Sequence, residues 1–225
     1  MSVKFDDYII LNNMDYDNVI QFLKKKYGVG KDDYFSQNSY ERFLREEIKK
    51  PTKGNYQRTN EGVYCHHVNK NMYGQLSKAY RIKDENLEFE HQKKENLVYC
   101  DLIEYAILHS IIDSTYNRET VGSGIIYMET DIRMWYLEGK KPQLNWEKQC
   151  YDRAYLSKDG AFQILKIIEL KINPNNRAYS TSKSYEDFLH YFAKEKMVND
   201  EKYIILKKRI VENIQSEIEK IIFSA

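Results

Sequence analysis

Cys65-His66-His67-Val68, then Glu95-Asn96-Leu97-Val98-Tyr99-Cys100, then the run from Asp101 to Asp113 with His109 inside it, are the three stretches whose reading decides the fold. The first extends back to Gly62 and, like Leu97–Cys100, is a short run of strand type. The third is helical: Leu102, Ile103, Ala106, Ile107, Ile111 and Ile112 recur at helix spacing on a strongly apolar segment. Few structural needs place two adjacent histidines in a strand and a third on a nearby helix.

Outward from this centre the chain is mainly helical. Asp15 or Asp17 can cap a helix whose stripe is Tyr16, Val19, Ile20 and Leu23 and whose end is Gly28. A second helix is expected from about Ser39 to Lys49, with Phe43, Leu44 and Ile48 inward and Pro51 beyond it. Asn71 to Arg81 suits a short helix, and Lys83 to Glu95 reads as a charge-dense loop. After Asp113 the pattern turns irregular through Gly122-Ser123-Gly124 and the aromatic-rich run Ile125 to Tyr136, with Trp135 and Trp146 as packing anchors. Helices follow from about Gln143 or Asn145 to Leu156 and from Asp159, the latter with Phe162, Leu165, Ile168 and Leu170. Asn173-Pro174-Asn175-Asn176 breaks the chain. Two amphipathic helices, about Ser184 to Met197 and Asp200 to Phe223, close it. The last can dock on the core or form a homodimer. The expected fold class is α+β: a single mainly helical domain, with an N-terminal helical segment (1–60), a small ββα element (61–113) and a C-terminal mainly helical region (114–225).

The bulk numbers narrow the class. With 225 residues, 42% of them apolar and 31% charged, the chain can bury a substantial core. Its 20 tyrosines accompany abundant Lys, Asn and Ile, the signature of an AT-rich genome, as in a low-GC bacterium or its phage. The net charge of +1 announces no whole-protein field for nucleic acid. Basic character is local, at Lys24-Lys25-Lys26, Lys49-Lys50-Pro51-Thr52-Lys53 and Lys207-Lys208-Arg209, each expected as a solvated face. Three cysteines without a C-x-x-C pair exclude a four-cysteine zinc site, and Cys65 and Cys100 read as buried thiols. The N-terminal residues are polar and acidic rather than signal-like, and no apolar window reaches membrane-spanning length. The expectation is a cytoplasmic protein with no membrane partner.

Phosphodiester hydrolysis needs a general base that works near neutral pH and a divalent cation to stabilise charge on the phosphate and the leaving oxygen. Neighbouring strand residues face opposite ways, so His66 can serve as metal ligand while His67 serves as base. The third histidine, His109, comes from the helix. Position 105, one turn earlier on the same face, is Tyr, a poor ligand unless deprotonated. Asn96 can brace the loop between the strands through its side-chain amide. His91 reads as a solvated loop residue and His190 as structural. Glu61 reads as a turn carboxylate.

In this order the residues resemble the HNH endonucleases, the ββα-metal or His-Me finger nucleases, and most closely phage and bacterial members written H-H-I, N-L-V, E-H-x-x-x-H. Asn96 lies nine residues before position 105 and thirteen before His109, the spacing of the helix ligands in HNH bacteriocin nucleases. Arg58 to Cys65 and Gly124-Ile125-Ile126-Tyr127-Met128 are similar to HNH proteins of low-GC bacteria, so the resemblance covers roughly residues 55–135. It implies metal-dependent cleavage of DNA, with RNA as a further substrate class. His67 is then the base, His66 and His109 the metal ligands and Asn96 the structural Asn. The ion would be Mg²⁺ or Mn²⁺ before Zn²⁺. Tyr105 departs from the pattern where a histidine is expected, with Glu104 and Asp101 as the carboxylates available to substitute. The alternative is a catalytically impaired relative that binds nucleic acid or a partner protein, such as a phage inhibitor of a host defence system.

Overall fold

The computed structural model describes residues 3–116 and 122–171. The helices expected at 184–197 and 200–223, the homodimer through them, and His190 lie outside these residues. What is described is mostly helical, with one two-stranded antiparallel sheet.

The chain opens with α1 (Val3–Asn12) and α2 (Tyr16–Tyr27). The carboxylate of Asp15 caps α2 by accepting from the Asn18 amide at 2.8 Å, and Gly28, at φ 81°, donates to the Lys24 carbonyl to end it. Tyr16, Val19, Ile20 and Leu23 are all buried, as the stripe requires. The next helix, α3 (Gln37–Leu44), starts two residues earlier and stops sooner than its pattern suggests. Phe43 faces inward, but Leu44 is exposed and Glu46 adopts a positive φ that ends the helical path.

Strand β1 (Tyr64–His67) pairs antiparallel with β2 (Leu97–Cys100), with His66 opposite Val98 and His67 opposite Leu97. The excursion between the strands carries two short helices, α4 (Lys70–Tyr73) and α5 (Ala79–Asp84), in place of the one expected. Directly after β2 comes α6 (Leu102–Tyr116), buried on nearly every face. An all-round buried helix is a central one: α1, α2, α7 and α9 pack about it. The aromatic run read as irregular is α7 (Gly122–Ile132), continued by a π-helical turn, Arg133–Leu137. α8 (Asn145–Arg153) and α9 (Lys158–Lys171) complete the described residues.

Two apolar clusters result. The larger joins α1 and α2 to β2, α6, α7 and α9, through Tyr8, Leu23, Val98, Ile103, Ile132 and Leu165 among others. The smaller, of Phe35, Tyr40, Phe43, Leu76, Ile82 and Leu87, lies under the excursion and α3. No helix of the described residues is long and apolar enough to cross a membrane.

Candidate functional site

The hairpin stands between the two clusters, so alternation along β1 sends its histidines to different neighbourhoods. His66 faces α2 and α6. His67 faces the smaller cluster.

His66 is 1% exposed. Its Nε2 lies 2.9 Å from the Tyr16 hydroxyl, and that hydroxyl is 2.7 Å from the Val68 carbonyl. A hydroxyl has one proton, and a carbonyl can only accept. Tyr16 therefore donates to Val68, and His66 donates through Nε2. Its lone pair is left on Nδ1, which is buried without a hydrogen-bond partner. Burial first, then the charges of Lys70 and His109, hold this imidazole neutral well below its ordinary range.

His109 is fully buried on α6, its ring 5.7 Å from that of His66. Two imidazoles sharing one ion have ring centres about 5 Å apart, given metal–nitrogen bonds of about 2.0–2.1 Å. The fold thus brings together the two histidines that the sequence assigns as ligands. Tyr105 fills the third corner, 5.5 Å from the His66 ring and 4.9 Å from that of His109. Burial drives its phenol pKa far upward, so its hydroxyl stays protonated and does not replace the missing imidazole.

Lys70 also enters this cluster, from the first turn after β1. Its Nζ is 3.0 Å from His109 Nε2 and 5.6 Å from the centre of the Tyr105 ring. An ammonium only donates, so it takes the Nε2 lone pair of His109. Burial lowers its pKa to about 8, which leaves it mainly charged at neutral pH.

His67 has different company. Its ring tilts against Tyr34 at 4.4 Å, and its Nε2 lies 3.1 Å from Gln92 Oε1. The Gln92 amide nitrogen donates to the Leu76 carbonyl, so Oε1 is the acceptor and His67 carries its proton on Nε2. Its pKa is pulled down to about 3 by burial, against an opposing pull from the Gln92 hydrogen bond. The Asn96 side chain donates through Nδ2 to the Glu90 carbonyl at 2.9 Å, six residues back in the same excursion, and the bond across to the end of β1 is a main-chain one, from the Val68 amide to the Asn96 carbonyl.

Three assignments read differently in the fold. Asp101 and Glu104 are no substitutes for a ligand at position 105; they form a reciprocal capping box at the start of α6. The Glu104 amide donates to Asp101 Oδ1 at 3.0 Å and the Asp101 amide to Glu104 Oε2 at 2.8 Å. Lys26, expected as a solvated face, reaches this box and bonds Glu104 Oε1 at 2.6 Å. His91, expected in solvent, is half-buried, bonded to Asn69 at 2.9 Å and tilted against Tyr73. Glu61 is a turn carboxylate, held by Arg58.

The sequence reading missed Lys70, Tyr16 as a partner of His66, and Gln92 as the partner of His67. Tyr16 was legible only as a stripe residue, and neither Lys70 nor Gln92 belongs to a recognisable motif. All three thiols are free, and burial raises that of Cys65 to about 12, too high for a nucleophile. A half-open cleft of about 180 Å³, lined by Tyr34, Arg58, Cys65 and Tyr105 among others, lies against β1.

No family model, curated protein or solved structure matches the chain. The residues themselves therefore carry the functional argument. Among the described residues no group of three or more His, Cys, Asp or Glu side chains is placed to hold a metal ion. The histidine pair presents an unpartnered buried nitrogen on His66, and the Nε2 lone pair of His109 is taken by Lys70.

The low pKa of His67 has a consequence for stability. Between pH 6.5, its ordinary value, and about 3, the unfolded chain binds a proton that the folded chain refuses. Stability therefore falls as pH falls through this window, by up to ~1.4 kcal/mol per pH unit for this one group. From about pH 7 to about pH 5, wild type should lose ~2 kcal/mol more than His67→Gln in urea unfolding. Equal losses would show that His67 is not held neutral. The comparison between the two proteins also cancels contributions of opposite sign, such as that of Glu104, whose pKa burial raises.

Proposed function

We propose that this protein is a metal-dependent endonuclease of the HNH kind, hydrolysing phosphodiester bonds in DNA. The observation that carries the reading is the pairing of His66 on the first strand with His109 on the helix after the second, 5.7 Å apart, with Asn96 tying the excursion between the strands. His66 and His109 would hold the ion, Mg²⁺ or Mn²⁺ before Zn²⁺, since hard ions keep several waters and tolerate few protein ligands. Bound there, the ion would stabilise charge on the phosphate.

His67 is the general base. Its lone pair is on Nδ1, its Nε2 proton is committed to Gln92, and its low pKa keeps it unprotonated at neutral pH. The same low pKa makes it a weak base in the resting state. Asn96 is the positioning residue for the hairpin. The near-neutral net charge suits a local grip on DNA rather than a long duplex track.

A second reading is favoured by Tyr105 and Lys70: a catalytically impaired relative that acts by binding nucleic acid or a partner protein. One assay separates the two. Supercoiled plasmid is incubated with the full chain in Mg²⁺, Mn²⁺, Zn²⁺ or EDTA. Nicking or linearisation that needs the metal is the expected result, and RNA run in parallel tests the other polymer. No cleavage in any metal would move the conclusion to the binding protein.

A further inference from the structure

We infer that Lys70 is the resident cation of this site, its ammonium holding the lone pair of His109 that a divalent ion would need, so that metal enters only when Lys70 leaves. The inference rests on the metal-dependent reading above and adds a control to it.

His109 Nε2 has a single lone pair, and Lys70 Nζ sits 3.0 Å from it. An imidazole nitrogen cannot donate the same lone pair to an ammonium proton and to a metal ion. The two cations therefore compete for one place.

The surroundings suit the ammonium better than they suit a metal. The ring of Tyr105 stands where a third imidazole would serve an ion, and it presents a face to Lys70 at 5.6 Å. A neutral phenol ring attracts a cation through its quadrupole but is a poor ligand for a hard divalent ion. Lys70 makes no ion pair with a carboxylate among the described residues, so histidine and phenol are its company. Tyr105 and Lys70 thus act as a pair: one removes a ligand, the other supplies a charge.

Lys70 reaches the cluster on a flexible stem. It sits at the start of the four-residue helix α4, three residues beyond His67, with the residue half-buried and its ammonium buried against His109 and the Tyr105 ring. A four-carbon stem can carry its head from the cluster to solvent without moving the backbone.

The test measures metal binding itself. Mn²⁺ is titrated into wild type and Lys70→Met, and free Mn²⁺ is followed by electron paramagnetic resonance. Methionine keeps the stem's length and removes the charge. Lys70→Gln is run beside it in case the first variant folds poorly, with circular dichroism as the check. Lys70→Met is expected to bind Mn²⁺ about tenfold or more tightly than wild type, because the competitor is gone. Adding His109→Ala should abolish the gain, and adding Tyr105→His should increase it. Equal affinity in wild type and both Lys70 variants would overturn the inference while leaving the metal-dependent reading intact. If none of the proteins binds Mn²⁺, there is no ion for Lys70 to exclude, and the inference falls together with that reading.

Discussion

His67→Ala is expected to lower the rate of metal-dependent plasmid cleavage by about 10²- to 10⁴-fold, the range that a positioned general base contributes. Mn²⁺ affinity should change little, because His67 lies on the other face of β1 from the His66 and His109 rings. That combination separates base from ligand. His109→Ala should do the reverse at its root, losing the ion first and activity in consequence. The side chain of His67 is 5% exposed and packed on Tyr34, so its removal also leaves a gap and an unpaired Gln92 oxygen. Circular dichroism at the assay temperature must show a folded variant before the rate is read. His67→Gln is the better control for packing: it fills the space but cannot accept a proton from water near neutral pH. Cleavage that survives both substitutions would mean that another group takes the proton and that the hairpin's second histidine is structural.

The parts of this fold that could be read in the sequence are those with local, redundant signals. α2 carries a cap at Asp15, a stripe and a terminal glycine, and all three agree. β2 is a run of four between a turn and a helix start, and its bounds match the reading at Leu97 and Cys100. α1 was not legible, because Asp6 and Asp7 interrupt the apolar pattern of Phe5, Tyr8 and Leu11 and give the segment a polar look. α7 looks irregular in the sequence for the opposite reason. Its apolar and aromatic residues fall on several faces, so no stripe stands out although the segment is helical.

The site divides in the same way. The histidine pair was legible because strand alternation and helix spacing are local rules, and the fold needed only to close the hairpin on α6. Lys70 was not, because its role exists only through contact with a residue 39 positions away. Nothing in His-His-Val-Asn-Lys says that the lysine turns inward. Asp101 and Glu104 have the spacing of a capping box in the sequence, the same spacing that offers them as carboxylates near position 105. Helix-start chemistry explains both carboxylates without an ion.

That box supplies the second large effect. Glu104→Ala is expected to cost about 3–5 kcal/mol, as breaking a buried charged network does by stranding its partners. Glu104 is fully buried and accepts from Lys26 at 2.6 Å, from the Tyr27 hydroxyl at 2.8 Å and from the Asp101 amide at 2.8 Å. Removing it strands a half-exposed ammonium, a phenol and a buried amide together. Glu104→Gln keeps one acceptor but turns a donor toward groups that already donate, so a loss of about 1–3 kcal/mol is expected. Urea unfolding measures both, with an unchanged slope as the sign that the native state alone has changed. The network joins α2 to the start of α6, and α6 begins two residues after β2 ends. Glu104 thus ties the start of α6, the helix that carries His109, to α2. Losses below about 0.5 kcal/mol in both variants would place them with ordinary surface changes. The tie from α2 to α6 would then have to come from packing along α6, where the smaller cost of losing one contact could be shared.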